Sequence, residues 1–152
     1  MPPPPTEPIG QHLARASKAV SRAFDDALAT RGGSLPVWLI LLQLQGGTHR
    51  TQRELAAAVG IEGPTLTHHL NRLEAAGTIT RARAPGNRRV QVVELTDAGR
   101  ALFHHLLTAV VDFDARLRAG LSDRDVAATH RLLDRLQANV AAPPVAPVVT
   151  NQ

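Results

Sequence analysis

Residues 51–89 read TQRELAAAVGIEGPTLTHHLNRLEAAGTITRARAPGNRR, and their punctuation decides the fold. Thr51 can accept a bond from the amide of Glu54 while Glu54 reaches back to Thr51, a reciprocal cap that opens a helix. Leu55, Ala56 and Val59 give that helix an inner face, Gly60 stops it, and Ile61 packs under the turn. Gly63-Pro64 restarts the chain as a second helix, with Gly63 as cap and Pro64 at the first helical position. The Ala75-Ala76-Gly77 end stops it. Residues 78–84 begin by alternating polar and apolar, with Arg81 and Arg83 on one face, which predicts a strand. Pro85-Gly86-Asn87 reads as a turn and residues 90–95 as the returning strand, so Arg88 and Arg89 stand at a hairpin tip.

That order is a helix-turn-helix followed by a wing. A projection of the second helix at about 100° per residue separates its faces. Leu66, Leu70 and Leu73 fall in one narrow arc and face inward; His68 lies nearly opposite them. Pro64, Thr67 and Asn71 flank His68 on one side, Thr65 and Arg72 on the other. His69 lies at the edge of the buried stripe. The outer face is therefore small or polar and rich in hydrogen-bonding groups, without the Glu/Lys mixture of an ordinary solvated helix.

The flanking sequence is helical. Ile9, Leu13, Ala16, Val20, Phe24 and Leu28 recur at steps of three and four and predict an amphipathic helix ended by Gly32-Gly33. Ser34 caps a second helix with Pro36 in its first turn; PVWLILLQLQ is apolar nearly all round and should be buried. Gly46-Gly47 stops it, and residues 48–50 form a short link with room for one small strand. After the wing, Thr96-Asp97 caps a long helix lined by Leu102, Leu106, Ala109, Val110, Phe113 and Leu117, which Gly120 breaks. Ser122 with Asp125 caps the last helix, lined by Val126, Leu133, Leu136 and Val140. The first helix and the last two are too apolar to stand free beside so small a winged domain, and a two-fold dimer would bury them economically. The fold class is mainly α with a small β-hairpin wing (α+β), a winged helix-turn-helix region carrying N- and C-terminal dimerisation helices. The expected divisions are a disordered tail over 1–8, dimerisation and support helices over 9–47, and the winged region over 48–95. C-terminal dimerisation helices follow over 96–140, and a disordered tail over 141–152.

Composition narrows the chemistry. The 152 residues carry no Cys, which excludes disulfides and thiolate chemistry. No apolar run is long enough for a membrane span and no secretory signal opens the chain, so a cytoplasmic protein without membrane partners is expected. The net charge of +4 is concentrated: residues 50–89 hold seven basic and three acidic residues, against a net +1 before and −1 after. That placement suits a polyanion beside the central stretch. Of the 17 basic residues all but Lys18 are Arg, a side chain matched to phosphates and base edges. The pairs His68-His69 and His104-His105 diverge by about 100° on a helix, so no metal site is expected. His104, His105 and His130 suit a dimer interface. No nucleophile–base pair or phosphate-binding Gly loop is present, so neither an enzyme nor a cofactor is expected.

A helix of this kind fits the major groove of duplex DNA. Thr65 and Thr67 offer a hydroxyl and a methyl, His68 can donate or accept at a purine N7, and Arg72 suits a phosphate or a guanine edge. Arg88 and Arg89 could reach the minor groove. Arg50, Arg53, Arg81 and Arg83 are candidate phosphate contacts, which position without reading sequence. The competing reading is a winged-helix protein-interaction module that does not bind DNA.

Over roughly residues 9 to 140 the chain resembles the MarR family of bacterial transcription regulators. TQRELAAAVGIEGPTLTHHLNRLEAAG and NRRVQVVELTDAGR carry the likeness. The family's wing motif is Asp-x-Arg followed by Leu-Thr and a Gly; here Asn87, Arg88, Arg89, Leu95, Thr96 and Gly99 occupy those places, with Asn87 the departure. The resemblance implies an Asp that braces the wing arginine, and Arg89 as the minor-groove residue. It also implies an obligate homodimer on a pseudo-palindromic operator, usually as a repressor, with half-sites about 10 bp apart. Relief by a small phenolic or anionic ligand, in a cleft between the dimer helices and the winged domain, is implied as well. In this chain His12, Arg15, Trp38 and His68 are the candidates to line it, although core packing is the preferred reading of Trp38.

Overall fold

The computed structural model describes residues 7–47 and 50–141, leaving aside the side chains of Arg50 and Arg88. Within those residues six helices and a small sheet follow one another: α1 (Ile9–Ala29), α2 (Leu35–Gln45), β1 (Arg50–Thr51), α3 (Gln52–Val59), α4 (Gly63–Ala75), β2 (Ile79–Ala84), β3 (Asn87–Leu95), α5 (Asp97–Leu117) and α6 (Asp123–Ala141). The expected tails over 1–8 and 141–152 fall largely outside the described residues, as do Thr48 and His49 of the link.

Local chemistry sets these boundaries. Ser34 Oγ accepts from Val37 N at 3.4 Å to open α2, with Pro36 in the first turn. Thr51 and Glu54 form the reciprocal cap of α3: Glu54 N donates to Thr51 Oγ1 at 3.1 Å, and Thr51 N to Glu54 Oε2 at 3.0 Å. Ser122 and Asp125 repeat the device at α6. Two boundaries differ from expectation by a residue or more. Leu66 N already bonds Glu62 O at 2.9 Å, so α4 starts at Gly63 and Pro64 sits one position inside it. The hairpin turn is tighter than expected, because Gly86 adopts φ 79° and lets Ala84 pair with Asn87. A left-handed residue after Pro is what a two-residue turn of this kind requires. β3 consequently begins at Asn87, and the register shifts between Arg83 and Ala84.

The sheet order is β1-β3-β2, antiparallel throughout. Two clusters form the core of the unit that ends at Phe113. One joins Ile40 and Leu44 of α2, Leu55 of α3, Leu66, Leu70 and Leu73 of α4, Ile79 of β2 and Val93 of β3. The other joins Leu28, Trp38, Leu41, Phe103, Leu106 and Ala109. α2 serves both clusters from opposite sides, which is why its sequence is apolar nearly all round. The unit over 114–141 holds the end of α5 and all of α6; none of the side chains of α6 is buried.

One joint fixes the wing to the helix that follows it. Thr96 Oγ1 donates to Gly77 O at 2.6 Å and accepts from Gly99 N at 3.1 Å, while Thr96 N donates to Thr78 O at 3.1 Å. The first turn of α5 thus rests on the α4–β2 connection. A Cβ on Gly99 would stand 2.0 Å from Thr78 O, so only Gly allows this approach.

Candidate nucleic-acid interface

α4 is held by its apolar stripe and presents the rest. Leu66 and Leu70 are fully buried and Leu73 nearly so. Pro64, Thr65, His68, Asn71 and Arg72 are exposed, and Thr67 and His69 are half-buried. The inward and outward sets therefore stand where the projection puts them.

Two of the outward side chains are engaged within the fold. Thr67 Oγ1 donates to Gly63 O at 3.0 Å and accepts from Gln52 Nε2 at 2.7 Å. Its hydroxyl thus ties the start of α3 to the start of α4. Asn71 Oδ1 accepts from Arg81 Nη2 at 2.7 Å, and the same arginine donates to Glu74 Oε2, from Nε at 3.0 Å and also from Nη2. Arg81 thereby holds the end of α4 to β2. The arginine's hydrogen bonds, more than its charge, lower the Glu74 carboxyl below its ordinary value. Burial lowers the His69 imidazole, with His68 and Arg72 adding to the effect, so the neutral ring is favoured.

Beside α4 lies a groove of about 790 Å³ between the start of α3 and the hairpin. Thr51, Gln52, Arg53, Gly63, Arg83, Arg89 and Gln91 are among its lining residues. Three arginines face one groove there without a carboxylate among the lining residues, a charge arrangement that favours a phosphate backbone. Asn87 keeps part of the bracing role expected of Asp: its Oδ1 accepts from Arg89 N at 3.1 Å. The bond fixes the backbone of the arginine rather than its guanidinium. Arg50 lies in β1 opposite Val93, and Arg88 lies in β3; their side chains are outside the described residues.

The residues expected to line a ligand cleft divide between the surface and the core. His12 and Arg15 are exposed and share Glu7. Trp38 is buried and stacks on Phe103, with ring centroids 5.2 Å apart, so packing accounts for it. A second cleft, of about 260 Å³, lies between the α1–α2 connection and α4. Gly33, Ser34, His69, Arg72 and Leu102 help line it. Sequence reasoning missed Gln52 and Glu74 as partners of the reading face. Glu74 was the sharper signal, as the only acidic residue of α4.

Helix, turn, reading helix and arginine-lined hairpin together make a winged helix-turn-helix DNA-binding protein. A MarR-family profile matches residues 32–90. The transcriptional repressor CouR, solved bound to a 23-mer DNA duplex, is 30% identical, with 89% of this chain and 93% of that chain covered at a TM-score of 0.75. The M. tuberculosis regulator MOSR, solved in complex with DNA, is 26% identical over 89% of this chain and 98% of its own, at a TM-score of 0.71. Bordetella bronchiseptica BpsR, whose DNA binding is regulated by 6-hydroxynicotinic acid, shares the fold at a TM-score of 0.80, with 22% identity over 90% and 98% of the two chains. The chain belongs to the MarR family of DNA-binding transcription regulators. No helix among its described residues is long and apolar enough to cross a membrane.

Proposed function

We propose that this regulator works as a homodimeric repressor of neighbouring genes, acting in the cytoplasm and without catalysis. Each copy seats α4 in the major groove of one half of a pseudo-palindromic operator and lays its wing tip along the adjacent minor groove. The observation that carries the reading is the surface formed by α4 and the groove beside it. Exposed Thr65, His68, Asn71 and Arg72 stand on that helix, and Arg53, Arg83 and Arg89 line the groove. Hydrogen-bonding groups on a helix read bases, and the flanking arginines fix its register on the phosphates. A second copy has apolar surface to cover: Ile9, Leu13 and Val20 of α1 and Leu132, Leu133 and Val140 of α6 are all exposed.

An effector acts through the cleft beside α4. Arg72 supplies a positive charge and neutral His69 a ring N–H, a pairing that suits a small aromatic carboxylate. Such a ligand touches the reading helix itself, so its affinity is coupled to operator binding.

The test begins with selection of bound duplexes from random DNA. On the duplex selected, Arg89→Ala weakens binding and lowers the slope of log affinity against log salt by about one. His68→Ala changes base preference instead. If neither variant alters binding, this mode of recognition is wrong, and a chain that retains no duplex at all is a protein-interaction module. The same assay repeated with a panel of small aromatic acids releases the duplex if the effector reading holds; no release across the panel removes it.

A further inference from the structure

We propose that Arg81 is a positioning residue rather than a phosphate contact, and that it locks the Asn71 amide so that position 71 meets the operator as a hydrogen-bond donor only. This deepens the DNA-binding reading above and rests on it.

The geometry distinguishes Arg81 from the arginine two residues further along the same face of β2. Arg83 is exposed and lines the groove beside α3. Arg81 has a side chain only 16% exposed, turned onto Glu74 and Asn71 at the end of α4. Its charge is matched by the Glu74 carboxylate, which lies across two of its N–H groups. A guanidinium already paired in this way has little left to offer a phosphate, and releasing it would cost the ion pair and the Asn71 bond together.

The consequence falls on Asn71. A guanidinium is all donors and has no acceptor, so only the amide oxygen of Asn71 can face it. The NH₂ group is then turned away from Arg81, on a side chain that is exposed on the outer face of α4. A free asparagine reads adenine by accepting from N6 with its oxygen while donating to N7 with its nitrogen. Here one lone pair of the oxygen is taken and the oxygen is turned toward β2, so the NH₂ donors are what the outer face presents. The complementary base edge is one that offers acceptors, as guanine does with N7 and O6. Glu74 and Asn71 stand three residues apart on one helix, so a single arginine from β2 can span both.

The test uses the full-length protein and the duplex it selects. Wild type is expected to prefer guanine over adenine at the base pair facing Asn71. Arg81→Met keeps an unbranched apolar stem and removes the guanidinium. It is expected to reduce that preference roughly tenfold while leaving the salt slope unchanged. Asn71→Ala is expected to lose the same preference, and the double variant to lose no more than either single one. A salt slope lowered by about one in Arg81→Met, with all duplexes weakened alike, would overturn the proposal, because that is the signature of a phosphate contact. A preference for adenine at that position in wild type overturns it too. Should Arg81→Met melt at assay temperature, Arg81→Gln serves in its place. Its amide offers an acceptor as well as donors and so no longer dictates which end of the Asn71 amide faces it, and the same lost preference is expected. If wild type retains no duplex, the DNA-binding reading itself fails and takes this one with it; a lowered salt slope in the Arg81 variants overturns this proposal alone and leaves that reading standing.

Discussion

At the scale of single residues, the tightest constraint is on a glycine remote from the reading face. Gly99 lies in the first turn of α5, where the helix backbone passes over the carbonyl of Thr78. The neighbouring atom is backbone, so no rotamer change can relieve an added methyl. Gly99→Ala is expected to destabilise the protein by about 2–4 kcal/mol, the range of a forced backbone displacement in a packed region. A urea denaturation series would measure it as a lower midpoint at unchanged slope. A midpoint within experimental error of wild type would mean the approach is looser than described. The same joint gives a physical reason for the Leu-Thr…Gly run after the wing: Leu95 ends the strand, Thr96 bonds the α4–β2 turn, and Gly99 lets the helix come close. The motif was legible in the sequence. Its reason was not, because the carbonyl it accommodates lies some twenty positions earlier in the chain.

At the scale of elements, α3 and α4 are joined by more than packing. The cap at Thr51 satisfies two backbone amides at the start of α3, and Gln52 immediately behind it donates to Thr67 on α4. Thr51→Ala removes the side-chain acceptor for Glu54 N and is expected to cost about 1 kcal/mol, the usual value of such a cap. Thr51→Ser, which keeps the oxygen, should restore most of it. Thermal melts of the two variants decide the point, and equal losses in both would mean that the threonine methyl rather than the cap supplies the stability. The existence of both helices was legible from caps, stops and the leucine stripe, because those signals are local. The Gln52–Thr67 and Asn71–Arg81–Glu74 contacts were not, because each joins side chains whose proximity depends on how two elements pack.

At the scale of the whole molecule, what stands out is apolar surface that one copy does not bury. α6 has no buried side chain, although Val126, Leu133, Leu136 and Val140 fall on one stripe. In a single chain Leu133→Glu would be a modest change, since the residue is 38% exposed. In a two-fold dimer the same change buries two carboxylates against apolar surface. Sedimentation should therefore report a mass falling from two chains to one, with operator affinity falling alongside. A dimer that survives Leu133→Glu at full mass would exclude this stripe from the interface. Loss of the dimer costs affinity because each half-site alone forfeits the effective concentration that the linked partner provides.

The sequence by itself determined the order and kind of the elements, the inward stripe of α4 and the basic excess around the wing. All of these are written in residue spacing, end signals and charge, which act within a few positions of one another. Tertiary structure decided the rest. It divided α2 between two cores, stacked Trp38 on Phe103, and placed Arg83 and Arg89 on an open groove while folding Arg81 back onto Glu74. Two arginines that alternate identically along β2 were equivalent in the sequence. They part company only because one of them lies opposite a carboxylate on the neighbouring helix, and an ion pair forms wherever the fold brings such partners within reach.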